Sequence, residues 1–155
     1  VQDKNIALVV RHGIFTEAEL RARYAIHLEA YNKRVAIEAR TMIDMAIHQI
    51  LPAALHYTKG LCEALTVKQN LGIPCHTESA LVRQLSGHTE SLYDVLSTLR
   101  HVMDNVPKNA EDAARYYHDS VIPGMNALRC EADALEALTE KRCWPYPTYS
   151  DLLFY

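Results

Sequence analysis

Residues 16–50 read TEAELRARYAIHLEAYNKRVAIEARTMIDMAIHQI, a run that opens with a helix start and keeps helical phase throughout. Thr16 stands three residues ahead of Glu19, so the hydroxyl can accept a free backbone amide while the carboxylate returns the bond, a capping box. Apolar or aromatic residues follow at Leu20, Tyr24, Leu28, Tyr31, Val35, Ala39, Met42, Ala46 and Ile50, then at Ala53, Tyr57, Leu61 and Leu65, in steps of three and four. Such spacing is one face of a single very long helix, predicted over 16–69. Pro52 removes a backbone hydrogen bond from that helix and presses on the turn before it, which predicts a kink or a break there. Asn70-Leu71-Gly72-Ile73-Pro74 ends it.

Working outward, Thr77 is the expected cap of a second helix over 77–106. Its apolar stripe alternates steps of four and three: Leu81, Leu85, His88, Leu92, Val95, Leu99, Val102 and Val106. That is coiled-coil-like spacing. Pro107 stops it, and Asn109 with Asp112 can open a third helix over 109–142, with apolar positions at Ala114, Tyr117, Val121, Met125, Leu128, Ala132 and Leu135 and a bend expected at Pro123. Residues 143–155, with Pro145 and Pro147, predict an extended aromatic tail. Residues 1–15 read as a lead-in segment. The fold class is all-α: an antiparallel bundle of three long helices in one domain, because short connections make consecutive helices neighbours. Helix one should measure roughly 75 Å and the other two roughly 45 Å. The stripe Leu20, Tyr24, Leu28, Tyr31 and Val35 is therefore left without cover from the bundle, unless helix one folds back near Glu38.

Composition narrows the function. The 155 residues are 49% hydrophobic, enough for one sizeable core, and only five glycines and six prolines are available for turns. A net charge of -3, with 16 Lys and Arg spread along the chain, gives no stripe to follow a phosphate backbone, so nucleic acid is not an expected partner. The longest uncharged run, Met45 to Thr58, is too short and too polar to span a bilayer, and no signal segment is visible. A cytoplasmic location follows as the expectation, with Cys62, Cys75, Cys130 and Cys143 as reduced thiols. The start at Val1, without Met, suggests a fragment or an excised domain.

No nucleotide-binding, nucleophile-elbow or zincin motif is present, so no catalytic, cofactor-binding or metal-binding residue is assigned. His48 and His56 share a helix face without a third ligand and read as ordinary helix histidines. His88 sits on the core stripe, either as a polar residue fixing register or as a pH-sensitive group. Arg40 and Asp44 read as an intrahelical ion pair rather than acid–base machinery. The tail carries Trp144, Tyr146, Tyr149, Phe154 and Tyr155 and reads as a docked strap, on its own bundle or on a neighbouring subunit. The structural interface candidates are Leu20, Tyr24, Leu28, Tyr31, Val35, Trp144, Tyr146 and Phe154.

Several of these runs are similar to a known family. Asp3-Lys4-Asn5-Ile6-Ala7-Leu8, Arg11-His12-Gly13-Ile14-Phe15-Thr16-Glu17-Ala18-Glu19-Leu20, Arg23-Tyr24 and His27-Leu28-Glu29 resemble type III glutamine synthetases just beyond their catalytic region. Ile37-Glu38-Ala39-Arg40-Thr41-Met42-Ile43-Asp44-Met45-Ala46 and Ile50-Leu51-Pro52-Ala53 resemble the same family's long helix. Trp144-Pro145-Tyr146-Pro147-Thr148-Tyr149-Ser150-Asp151-Leu152-Leu153-Phe154 resembles its C-terminal signature, with Ser150 where the family has Gly. Residues of about 66–110 match only in helical character. The resemblance implies a parent ligase that joins ammonia to glutamate with ATP and Mg or Mn, assembled as a cytoplasmic homo-oligomer. It places the catalytic region, and every residue that holds ATP or metal, before Val1 in the same polypeptide. The chain then reads as a structural and assembly domain that is inactive alone. The alternative is an independent helical adaptor that binds an amphipathic partner helix.

Overall fold

The computed structural model describes residues 2–153, and among these it contains helices and no strand. The helices are α1 (Asp3–Arg11), α2 (Glu17–Met45), α3 (Leu51–Asn70), α4 (His76–Asp104), α5 (Ala110–Tyr116), α6 (Ile122–Leu138) and α7 (Tyr149–Leu153). Two five-residue π-turns, Ala46–Ile50 and Tyr117–Val121, join α2 to α3 and α5 to α6 without leaving helical backbone. Helical structure thus runs unbroken from Glu17 to Asn70.

The opening of α2 forms as its residues dictate. Thr16 Oγ1 accepts the Glu19 amide at 3.2 Å, and Glu19 Oε2 accepts the Thr16 amide at 2.8 Å. The carboxyl of Glu19 is held below its usual range by those bonds, the Thr16 amide first. Nothing folds back at Glu38, which lies inside continuous α-helix. Pro52 neither breaks the rod nor stays inside a regular α-helix. A proline cannot donate to the carbonyl four residues back and its ring collides with that carbonyl. Widening the turn just before it, to i→i+5 bonding, relieves both problems. Pro123 stands in the same relation to the second π-turn, each proline being the second residue of the α-helix that follows. The wider turn also sets the buried face. Ala46, Ile50 and Ala54 are buried at consecutive steps of four, and so are Ala113, Tyr117 and Val121.

Several boundaries differ from the sequence expectation. Residues 1–15 are more than a lead-in, since α1 buries Ile6 and leads into a turn at Gly13, whose φ of 64° is a conformation glycine adopts without strain. Thr77 does not cap α4. The helix starts one residue earlier, with Cys75 at the cap position and no side-chain cap bond. Lys68 and Glu78 close that corner as an ion pair between α3 and α4. Helix α4 ends at Asp104 rather than 106, and α6 ends at Leu138 rather than 142, where Thr139 turns extended. Asn109 does cap α5, its Oδ1 accepting the amides of Glu111 and Asp112 at 2.9 and 3.2 Å.

The core is one cluster. Leu85, Leu92 and Leu99 of α4 are fully enclosed, and with Leu96 they meet Leu128 and Leu135 of α6, Val121, Ala113, Tyr117 and the α2–α3 residues Val35, Ala39, Ala46, Ile50 and Ala54. Of the heptad positions, Leu81, Val95, Val102 and Val106 are half-buried at its edge, while Thr89 and Leu96 lie inside. Where α6 starts, Gly124 comes so near α4 that an added Cβ would stand 3.0 Å from Leu99 Cδ1. Side chains mark both pairings of α4: His88 meets Glu131 of α6 at 2.9 Å, and the hydroxyl of Tyr116 on α5 donates to Val102 O at 3.1 Å.

Candidate interaction surface

The stripe at the start of helix one is covered more than its length alone implies. Helix α1 lies against the first turns of α2, and α5 meets its middle. The Tyr24 hydroxyl donates to Glu111 at 3.0 Å, and Asn32 Nδ2 donates to Ala110 O at 2.8 Å. The bond to Glu111 pushes the Tyr24 phenol up, because removing its proton would set two anions side by side. Arg23 lies 4.5 Å over the ring of Phe15, a cation–π contact at the turn between α1 and α2. Leu20, Tyr24, Leu28 and Tyr31 are half-buried, whereas Val35 is 5% exposed and belongs to the core.

The tail is not extended throughout. Residues 141–143 form a turn, in which the Cys143 amide donates to Glu140 O at 2.8 Å, and Trp144 enters the core at 8% exposure. Tyr146 packs half-buried on the same cluster. Its phenol is pushed up by burial and, secondarily, by the charge of Asp44 on α2. Then α7 begins with its own capping box. Thr148 donates its amide and hydroxyl to Asp151 Oδ2 at 2.9 and 2.8 Å, and its Oγ1 accepts the Asp151 amide at 3.4 Å. Lys141 pairs with the same carboxylate. Those bonds, the one from Lys141 first, hold Asp151 down to about 2. The structure therefore brings Trp144 and Tyr146 together with Tyr31 and Val35 in one cluster. Phe154 lies outside the described residues.

The candidate polar residues occupy ordinary helix positions. His48 pairs with Asp44 at 3.5 Å on the exposed side of helix one, so Asp44 has a histidine rather than Arg40 as its close partner. His56 is exposed, and His88 bridges α4 to Glu131 at the edge of the core. Among the described residues no group of three or more His, Cys, Asp and Glu side chains is placed to hold a metal ion. No helix among these residues is long and apolar enough to cross a membrane.

What sequence periodicity missed is a second, outward face. Ile26 and Ile37 of α2 are 66% and 64% exposed, and Leu55 of α3 and Tyr93 of α4 are 54% and 60% exposed beside a groove of about 540 Å³. Counting positions three and four apart from Ile26 finds Ala22, Ala30, Lys33, Ile37 and Arg40 on the same side of α2, a signal available from the sequence but weaker than the core stripe.

Residues 1–69 match the family described as the glutamine synthetase C-terminal domain. A glutamine synthetase of Butyrivibrio fibrisolvens is 34% identical over 158 residues, which covers 99% of this chain and 23% of that protein. The chain is thus similar to glutamine synthetases over nearly its whole length, and to their C-terminal domain family over its first 69 residues. A type-3 glutamine synthetase of Dictyostelium discoideum is 31% identical over 98% of the chain, and a glutamine synthetase of Bacteroides fragilis is 31% identical over 96%. The chain spans 22% and 21% of those two relatives, less than a quarter of each.

Proposed function

We propose that this chain is the non-catalytic C-terminal part of a type III glutamine synthetase, acting as its structural and assembly domain. The observation that carries the reading is the coverage: nearly the whole chain aligns with less than a quarter of full-length glutamine synthetases. The parent reaction would be ATP-dependent ligation of ammonia to glutamate in the cytoplasm, with ATP and Mg or Mn held by the catalytic region of the same polypeptide. The helices support a scaffold role. We read α2–α3, α4 and α5–α6 as an antiparallel bundle of three, because His88 meets Glu131 while Leu99, further along α4, lies against Gly124, earlier in α6. Such a bundle, with a half-buried stripe from Leu20 to Tyr31, offers its long first helix to the catalytic region and to other subunits of a homo-oligomer.

The test compares three proteins: the full-length polypeptide, the same polypeptide lacking this segment, and the 155-residue chain. The expected result is glutamine formation by the first, an altered sedimentation profile for the second, and no ATP turnover by the third. Glutamine formation by the isolated chain, or an assembly indifferent to deletion of the segment, overturns the reading.

A further inference from the structure

The outward face of α2 carries an apolar knob with basic flanks. Ile37 is 64% exposed, and the helix positions three and four residues away are Lys33, Arg34, Arg40 and Thr41, all exposed and none acidic. Ile26 lies three turns back on the same side, 11 residues earlier. The groove between α3 and α4 has the opposite character. Leu51 and Leu55 from α3 and Thr89 and Tyr93 from α4 line it, and Glu90 and Asp94 form its exposed rim.

We propose that Ile37 of one copy of this chain seats in the Leu55–Tyr93 groove of a second copy. This deepens the assembly role proposed above by naming the surfaces and the partner. Charge selects the occupant. Three cations and the single carboxylate of Glu38 stand around the knob while two carboxylates edge the groove, so a second copy brings complementary net charge to an apolar contact. Lys33 on the basic side already pairs with Glu29 at 3.5 Å, a contact exposed on both sides that costs little to exchange. Knob and groove also lie on one continuous helical rod. Ile37 and Leu55 are 18 residues apart, roughly 27 Å along the axis, with the surplus residue of the π-turn between them, so the contact joins different faces of the rod in the two copies.

The experiment is sedimentation of the 155-residue chain and of the full-length protein, at low and high salt, with charge-reversed variants. One variant carries Glu90→Lys and Asp94→Lys, and the other carries Arg34→Glu and Arg40→Glu. Each alone should weaken self-association of the chain by about tenfold or more, since like charges then face each other. An equimolar mixture of the two should associate again, because the reversed groove fits the reversed knob. Raising the salt should weaken the wild type, and Ile37→Ser should weaken association further at either salt concentration. Circular dichroism of each variant checks the helix content. A wild-type chain that stays monomeric overturns the proposal, as does association that survives both reversals. Protection of Tyr93 only in the longer polypeptide, without self-association, also overturns it and assigns the groove to the preceding region. Self-association as described, combined with a full-length assembly that ignores deletion of the segment, sustains this contact and removes the assembly function instead.

Discussion

Replacing Leu92 by Ala should be among the most damaging single truncations in this chain. Leu92 is fully enclosed at the middle of α4, between Leu85 and Leu99, which are equally enclosed, so no neighbour can shift toward solvent to fill the space. The substitution deletes three carbons, about 2–3 kcal/mol of lost transfer energy. The unfilled cavity raises the expected cost to about 3–5 kcal/mol. At this chain length about 1 kcal/mol moves the melting temperature by roughly 2–4 °C, so a drop of roughly 6–20 °C should be seen. Ser91→Ala, one position away and exposed, is the control and should change stability by less than about 0.5 kcal/mol. The assay is urea unfolding followed by circular dichroism at 222 nm, under dilute conditions and at two protein concentrations. Equal midpoints for the two variants would refute the assignment of α4's inner face, and with it the core described above.

Acid should release the tail before the bundle melts: the depressed Asp151 carboxyl contributes stability that is complete above its ordinary value of 3.8 and is lost as pH falls through about 2. Trp144 is the single tryptophan, so its fluorescence reports the release, and Asp151→Asn should abolish the transition in that window. Gly87→Ala should stabilise α4 by about 0.5–1 kcal/mol, because an added Cβ meets open space in an exposed helix interior. Gly124→Ala should instead lose roughly 1–3 kcal/mol relative to that variant, since the fully buried Leu99 stands in the way, and urea midpoints compare the two. Deleting Gln49, exposed in the first π-turn, should keep the two arms in phase while returning Pro52 to regular α-helix at about 3 kcal/mol, whereas deleting Lys33 from regular α-helix should rotate everything before it by about 100° and cost more; thermal melts distinguish them.

Much of this architecture could be read from residue spacing because burial in a helical bundle is periodic. The Thr16 box, the Asn109 cap and the inner leucines of α4 all follow from local chemistry plus a repeat of three and four. The same periodicity hides what disturbs it. Ala46, Ile50 and then Ala54 advance by two fours across Pro52, and Ala113, Tyr117 and Val121 do so just before Pro123, which is the mark of a turn holding an extra residue. Treating proline as a kink misses it. The two prolines of the tail draw attention away from Thr148 and Asp151, a capping box three residues apart. Coverage of helix one was harder to foresee, because bundle lengths say nothing of α1 doubling back with Ile6 or of α5 meeting Tyr24 and Asn32. The outward face of Ile26 and Ile37 escapes for another reason: an exposed isoleucine has no burial pattern to reinforce it.

The π-turn at Ala46–Ile50 divides helix one into two arms, and the longer arm behaves as a lever. From Glu17 to Met45 it holds 29 residues, about 44 Å at the usual rise. A change of about 5° in direction at the turn would sweep the Thr16 end through roughly 4 Å, enough to exchange one set of side-chain contacts for the next along a neighbouring helix. A proline and one surplus residue thereby set the aim of the whole arm from its far end.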